Sequence, residues 1–266
     1  MKNRLLYLTA DDYGMDSGID RGILDCVTSG SIQNVSICDV ASGNNLSKSL
    51  SVEAVSILKS ASVGLHLCMF SAQTDINRPK DWIHTIKLFF PSPDFLAEKI
   101  EALDRTFSEL EKLGLPCRFI NGHQHVHLFP GWVLPLCEWA KKHNITVMRK
   151  PLELGLERNL SRIFRIPLLV LEFLGSLAEK LSRRHKMKWI PAICRWVHEI
   201  NWQSAVSEIE NVRIPEIEIV LHPGYPSEAY ISQTGSPINY SNITSQLLQK
   251  NFLEIAERKS FSPGKF

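Results

Sequence analysis

Four short segments of the chain carry the residue types that hydrolytic chemistry uses. They are Asp11-Asp12-Tyr13-Gly14, Gly64-Leu65-His66-Leu67, Asn121-Gly122-His123-Gln124-His125-Val126-His127 and Leu221-His222-Pro223-Gly224. Carboxylates and imidazoles are the usual ligands of a divalent ion, and water activation needs two or three of them with one coordination position left open. A further carboxylate outside the ligand shell then takes the proton of the water. Asp11 and Asp12 supply both parts. Two adjacent carboxylates without a cation repel each other, and one of them is pushed toward protonation. An ion between them and the histidines removes that conflict.

Each segment alone has an ordinary explanation. An Asp pair is a common helix cap, a lone His66 in an apolar strand is a common hydrogen-bonded core residue, and His222 before Pro-Gly fits a turn. The histidine cluster is harder to dismiss, because three of the nine histidines fall at positions 123, 125 and 127. Alternation along an extended segment would put these three on one side. Together the four segments favour a metal site.

The segments follow elements that would bring them together. Leu5–Thr9, Asn34–Val40, Ser62–Leu67, Arg118–Asn121, Ile145–Arg149 and Ile217–Leu221 read as buried strands. Helical spacing runs through Ser17–Ser29, through Phe95–Leu113 with Leu96, Ile100, Leu103, Phe107 and Leu110 on one face, through Trp132–Lys142 and through Ser241–Glu257. Such β-α alternation predicts an α/β fold with a parallel sheet or barrel covered by helices, whose functional residues gather beyond the C-terminal strand ends. No internal repeat or low-complexity linker divides it, so one domain is expected over 1–266. Two stretches break the rhythm. Gln73–Pro93 reads as a long functional loop. Glu157–Lys188 reads as a helical insertion, with an apolar centre and eight basic against three acidic residues.

Composition bounds the function. The 266 residues are 44% hydrophobic and 22% charged, an ordinary globular mixture that excludes disorder and collagen-like repeats. A net charge of +2 argues against nucleic acid as a partner. The six cysteines are scattered singly with no CxxC pair, which argues against a cysteine zinc site and fits a reducing compartment. With no signal peptide and no spanning helix apparent, a cytoplasmic location is expected.

Taken in order, TADDYG, GLHL, NGHQHVHLFP and LHPGY resemble the YdjC-like carbohydrate deacetylases, which include chitooligosaccharide deacetylases and a branch associated with hopanoid biosynthesis. The resemblance runs from Leu5 to about Tyr225 and is weakest between Gly155 and Glu216. It implies a single distorted (β/α) TIM-like barrel related to the polysaccharide deacetylases, and one divalent ion, Mg or Zn. Carried onto this chain, it implies that Asp12, His66 and His123 hold the metal. Asp11 would be the general base toward the attacking water and His222 the general acid toward the departing amine. Arg149 would keep Asp11 ionised and aimed. His125, His127 and Tyr13 would line the pocket, with His125 or His127 an alternative ligand to His123.

The expected reaction is removal of an N-acetyl group from an acetamido sugar, whether chitooligosaccharide, glycolipid or lipid-linked sugar. A metal-dependent phosphoesterase or other acyl hydrolase, or a catalytically silent sugar-binding barrel, are the competing readings. The basic ends of 157–188 read first as the solvated faces of a pair of helices; the sharper reading is a surface for peripheral contact with anionic headgroups at the inner membrane face, and a homodimer partner would fit the same surface.

Overall fold

The computed structural model describes residues 4–38, 50–68, 89–152, 162–194, 209–210, 214–234, 236, 238–249 and 261–266. Seven parallel strands close on themselves: β1 (Arg4–Tyr13), β2 (Asn34–Cys38), β3 (Ser62–Leu67), β4 (Cys117–Gly122), β5 (Val147–Pro151), β6 (Lys188–Ile193) and β7 (Glu216–Leu221). β1 closes the ring by pairing with β7 along Leu5–Ala10 and with β2 further up, from Thr9 to Tyr13. A short eighth strand, β8 (Phe261–Pro263), takes the lower part of β1, from Arg4 to Leu6, where β2 has not yet begun. The fold is a (β/α) TIM-like barrel, as the alternation of elements predicts.

The helices cover the outside. α1 (Ser17–Thr28) is capped by the Asp16 side chain on the Gly18 N–H and buries Ile19, Gly22, Ile23, Cys26 and Val27. α2 (Val52–Leu58) starts at Ser51, which accepts from the Ala54 N–H. α3 (Pro93–Lys112) starts at the Ser92 cap with proline in its first turn, and buries Leu103 and Leu110. α4 (Pro130–Lys142), α5 (Arg162–Leu181), α6 (Glu228–Thr234) and α7 (Tyr240–Leu248) follow. Most of the predicted 73–93 loop, and the part of the predicted closing helix beyond residue 249, lie outside the described residues.

Residues alternating along the strands face the barrel interior, and this interior is unusually polar. Asp11, Ser36, His66, Asn121, Arg149 and Glu218 are all buried there. Barrels of this kind are ordinarily filled by branched apolar residues. The floor is aromatic: the Phe266 ring stacks on Tyr7 at 4.2 Å and lies against Phe119 at 4.6 Å. Gly64 makes room for that floor, since a Cβ there would stand 2.5 Å from the Phe119 ring.

Candidate active site

A defect in β1 sets the site. Between Ala10 and Tyr13 the register against β2 slips, with three steps along β1 matched by two along β2. Asp12 takes a positive φ of 72° at this bulge. Strand alternation would send Asp11 and Asp12 to opposite faces; the extra residue and the left-handed backbone turn both into the barrel mouth. Sequence reading expected the strand to end there, but it continues through both aspartates to Tyr13.

Asp11 is the lower of the two and sits in a fully committed network. Arg149, from β5, donates to it through Nη1 at 2.5 Å and Nη2 at 2.9 Å. Ser36 Oγ donates at 2.5 Å and Asn121 Nδ2 at 3.3 Å. The other edge of Arg149 grips Glu218 of β7, with Nε at 3.0 Å and Nη2 at 2.7 Å. All three charged groups are buried. Burial pushes the Asp11 carboxyl up, but the guanidinium outweighs it, with help from His66, and holds the group well below the usual carboxylate range. Burial alone would lower Arg149; the two carboxylates flanking it keep it firmly charged.

Asp12 points the other way, toward imidazoles. His123 Nδ1 lies 3.0 Å from Asp12 Oδ1, and His66 Nε2 lies 3.1 Å from the same oxygen. The His66 tautomer follows from its neighbours. Asn121 spends its amide N–H on Asp11, so its Oδ1, 2.6 Å from His66 Nδ1, accepts a proton from that ring. Nε2 is then a bare lone pair, buried and with no hydrogen-bond partner, facing a carboxylate. Acceptor facing acceptor in a buried site is the arrangement a cation completes. The ligand atoms of Asp12, His66 and His123 all lie within 4.8 Å of one another, so the donors fit a divalent ion with Asp/His preference. Burial raises the Asp12 carboxyl, but His123 beside it outweighs burial and holds the group well below its ordinary value.

The His123–Leu128 stretch is not extended. It is a tight helical turn with left-handed backbone at Gln124 (φ 49°) and His125 (φ 61°), so its three imidazoles diverge. His123 meets Asp12. His125 lines the cavity, its Nδ1 buried without a partner. His127 turns inward and bonds the Arg149 carbonyl at 3.1 Å through Nε2, and it is absent from the cavity lining. Burial pushes His127 down to about 3, so it stays neutral and structural. Tyr13 likewise packs in the core instead of lining the pocket.

His222 stands at the end of β7, its Nε2 3.9 Å from Asp12 Oδ2 and its Nδ1 buried without a partner. Burial lowers its proton affinity, and Asp12 and Asp11 pull it partly back. The cavity holds about 200 Å³ and is lined also by Cys194, Tyr230, Ser236, Ile238 and Tyr240. That is below the roughly 300–1,000 Å³ of sites that enclose a drug-sized ligand.

Ser36, Asn121 and Glu218 are members of the site that residue-type reasoning passes over. Glu218 had a signal: a charged side chain in the middle of the otherwise apolar run Ile217-Glu218-Ile219-Val220-Leu221.

Comparison with known proteins bears on this geometry. The model of YdjC-like proteins matches residues 5–252. The chain belongs to the YdjC-like family. A carbohydrate deacetylase of Xenopus laevis is 24% identical over 295 aligned positions, covering 96% of this chain and 93% of the relative. A carbohydrate deacetylase of Thermoanaerobacter pseudethanolicus is 22% identical over 160 positions, covering 56% of this chain and 62% of that one. Among solved structures, a proposed cellobiose-phosphate cleavage protein of Enterococcus faecalis V583 superposes with a TM-score of 0.64 at 14% identity, over 99% of this YdjC-like chain and 98% of its own. That likeness concerns the barrel alone.

Proposed function

We propose that this YdjC-like barrel is a metal-dependent N-deacetylase acting on an acetamido sugar. The observation that carries the reading is the division of labour at the β1 bulge. One aspartate is aimed at two imidazoles, and its neighbour is held ionised by a buried arginine. Relatives described as carbohydrate deacetylases support the substrate class.

Asp12, His66 and His123 would hold the ion. When bound, a divalent ion would polarise an amide carbonyl and raise the acidity of water beside it. Asp11 accepts the proton of the attacking water. Arg149 keeps Asp11 ionised at any working pH, and the same stabilisation makes it a weak base, so it can deprotonate only a water more acidic than bulk. His222 lies across Asp12 from that base. As the C–N bond breaks, its protonated ring delivers a proton to the departing nitrogen, because an amide anion is a poor leaving group. His125 presents a lone polar atom to the substrate, and Tyr230 and Tyr240 wall the outer cavity.

A phosphoesterase reading is less favoured. Phosphoryl transfer wants cationic donors on the substrate oxygens, whereas all three nitrogens of Arg149 are spent on Asp11 and Glu218. A silent sugar-binding barrel would have no need of an ionised Asp11 beside the ligand set.

Acetate release from N-acetylglucosamine oligomers and lipid-linked N-acetylhexosamines tests the proposal, with chelated protein and protein reloaded with Zn, Mg, Mn, Co or Ni. Release restored by metal is expected. Asp11→Asn should keep the metal and lose about 10²–10⁴-fold in turnover, while Asp12→Asn should lose metal. Near-wild-type turnover in Asp11→Asn would overturn the base assignment, and no acetate from any metal-loaded acceptor would overturn the deacetylase.

A lipid-linked acceptor is favoured by one feature of α5. Leu169, Val170 and Phe173 are exposed on it, and the basic turn Arg183-Arg184-His185-Lys186 follows its end. Apolar side chains beside cationic ones suit an anionic bilayer surface. No helix among the described residues is long and apolar enough to cross a membrane. Anionic liposomes should bind the protein at low salt and release it when Arg183, Arg184 and Lys186 are neutralised. Self-association in place of liposome binding would assign the surface to a second copy.

A further inference from the structure

Cys38, His66 and Cys68 form a second group of donors that the hydrolytic chemistry does not use. Cys38 is the register partner of His66 across β2 and β3, and Cys68 follows just past the end of β3, its thiol donating to the His66 carbonyl at 3.4 Å. One nitrogen of His66 and the two sulfur atoms all lie within 4.8 Å of one another. All three residues are buried, with Cys38 and Cys68 only 2% and 3% exposed. Thiols in this number and spacing beside an imidazole are donors for a thiophilic ion.

Charge distinguishes this set from the one beside it. Asp12, His66 and His123 offer one negative charge, because Asp11 is already neutralised by Arg149. Two thiolates and an imidazole offer two, which balances a dication in a buried place where unbalanced charge is costly. The sets also compete. Asn121 holds His66 Nδ1 at 2.6 Å, so the ring has one lone pair to give. An ion drawn toward the sulfurs takes it from Asp12 and His123.

We infer that Cys38, His66 and Cys68 constitute a second, thiophilic metal site that captures soft ions such as Cd²⁺ and, in doing so, withdraws His66 from the Asp12/His123 set. The competition rests on reading Asp12, His66 and His123 as the catalytic ligands; the thiol site itself does not. Through it the protein would distinguish metals: hard and borderline ions sit by the aspartates, and soft ions are held to one side, where they inhibit.

Titrating the chelated full-length protein with Cd²⁺ tests this without reference to activity. The expected result is a near-ultraviolet thiolate-to-cadmium charge-transfer band saturating at one ion per chain, and a cadmium NMR resonance in the range of mixed sulfur and nitrogen ligation. Cys38→Ser and Cys68→Ser should each weaken Cd²⁺ binding by more than about tenfold, so that the band no longer saturates at one ion per chain at the concentration that saturates the wild type. Cys137→Ser, on the outer helix α4, should keep the wild-type saturation, as should Asp12→Asn. Absence of the charge-transfer band in the wild type, or wild-type saturation in either Cys38→Ser or Cys68→Ser, overturns the site. The wild-type NMR reading stands even where a serine variant fails to fold. If Asp12→Asn instead leaves the content of the activating metal unchanged, the hard ligand set is wrong while the thiol site is untouched.

Discussion

Arg149 is the residue on which most of the site depends, because it is the only cation between two buried carboxylates in the described interior. Removing it leaves Asp11 and Glu218 buried without the cation that compensates them. Loss of one partner from a buried ionic group costs about 3–5 kcal/mol, and Arg149→Met should lower stability at neutral pH by about that much. The pH dependence should also change sign. In the wild type the Asp11 carboxyl is depressed, so its contribution is present above the ordinary unfolded value of about 3.9 and is lost as pH falls through the lower folded value. In Arg149→Met burial becomes the dominant influence and raises Asp11. The variant should be relatively most stable below that unfolded value and weaken as pH rises through the raised one. Chemical denaturation of both proteins between acid and neutral pH checks this, and parallel profiles would remove Arg149 as the cause of the depression. The Asp and His residues around it were legible from residue type and position at strand ends. Ser36 and Asn121 were not, because a small polar residue facing inward reads in one dimension like any residue of a strand; Glu218 stood out only as a charge in an apolar run, which gives no role.

Among the elements, α1 meets the loop that follows β7, and it achieves this with glycine. Gly22 lies against Gly224, where a Cβ would come 2.4 Å from the Gly224 Cα, and a Cβ on Gly18 would meet the Tyr225 carbonyl oxygen at 1.8 Å. Helix and loop therefore touch backbone to backbone, and the Tyr225 N–H bonds the Gly18 carbonyl at 2.9 Å. This contact fixes the segment that begins at His222. Mid-helix glycine costs about 1 kcal/mol relative to alanine, yet Gly22→Ala should not stabilise, because the obstructing atoms are backbone. We expect a net loss of about 1–3 kcal/mol from overpacking and a turnover at least tenfold lower, with bound metal unchanged, since the proposed ligands Asp12, His66 and His123 sit on β1, β3 and the turn after β4. Wild-type turnover in Gly22→Ala would show that the His222 segment does not need this support. The periodicity of α1, α3 and α4 made them legible to within a few residues. β6 was missed because Pro191 interrupts a run that follows directly on the basic end of α5, and its pairing with β7 is limited to Ala192 and Ile193. The bulge in β1 has no signature in residue type at all, and the turn at Gln124 and His125 overturned an alternation that local pattern favoured.

Closure of the whole barrel depends on residues some 250 positions apart, which is why no local pattern announced it. β2 begins too high on β1 to cover its lower end, and the segment after Phe261 fills that gap. The Gly264 N–H bonds the Leu6 carbonyl at 2.9 Å; Asn34, at the start of β2, donates to the carbonyls of Leu8 and Gly264 and accepts from the Phe266 N–H. Asn34 thus ties together three chain segments that secondary-structure ladders leave apart. Phe266 then carries its ring beneath the polar interior, between Tyr7 and Phe119. A floor of this kind matters for the chemistry above it: water admitted from below would reach the Asp11–Arg149–Glu218 group and weaken the interactions that keep it in place. Phe266→Ala should therefore do two things. It should cost about 2 kcal/mol through lost apolar burial and ring stacking, read as a lower melting temperature. It should also speed hydrogen exchange at the interior amides of β1 and β2 more than at those of β5 and β6, because the opening lies on the β1–β2 side. Uniform acceleration around the barrel would mean that Phe266 contributes only to global stability, and unchanged exchange with an unchanged melting temperature would mean the floor closes without it.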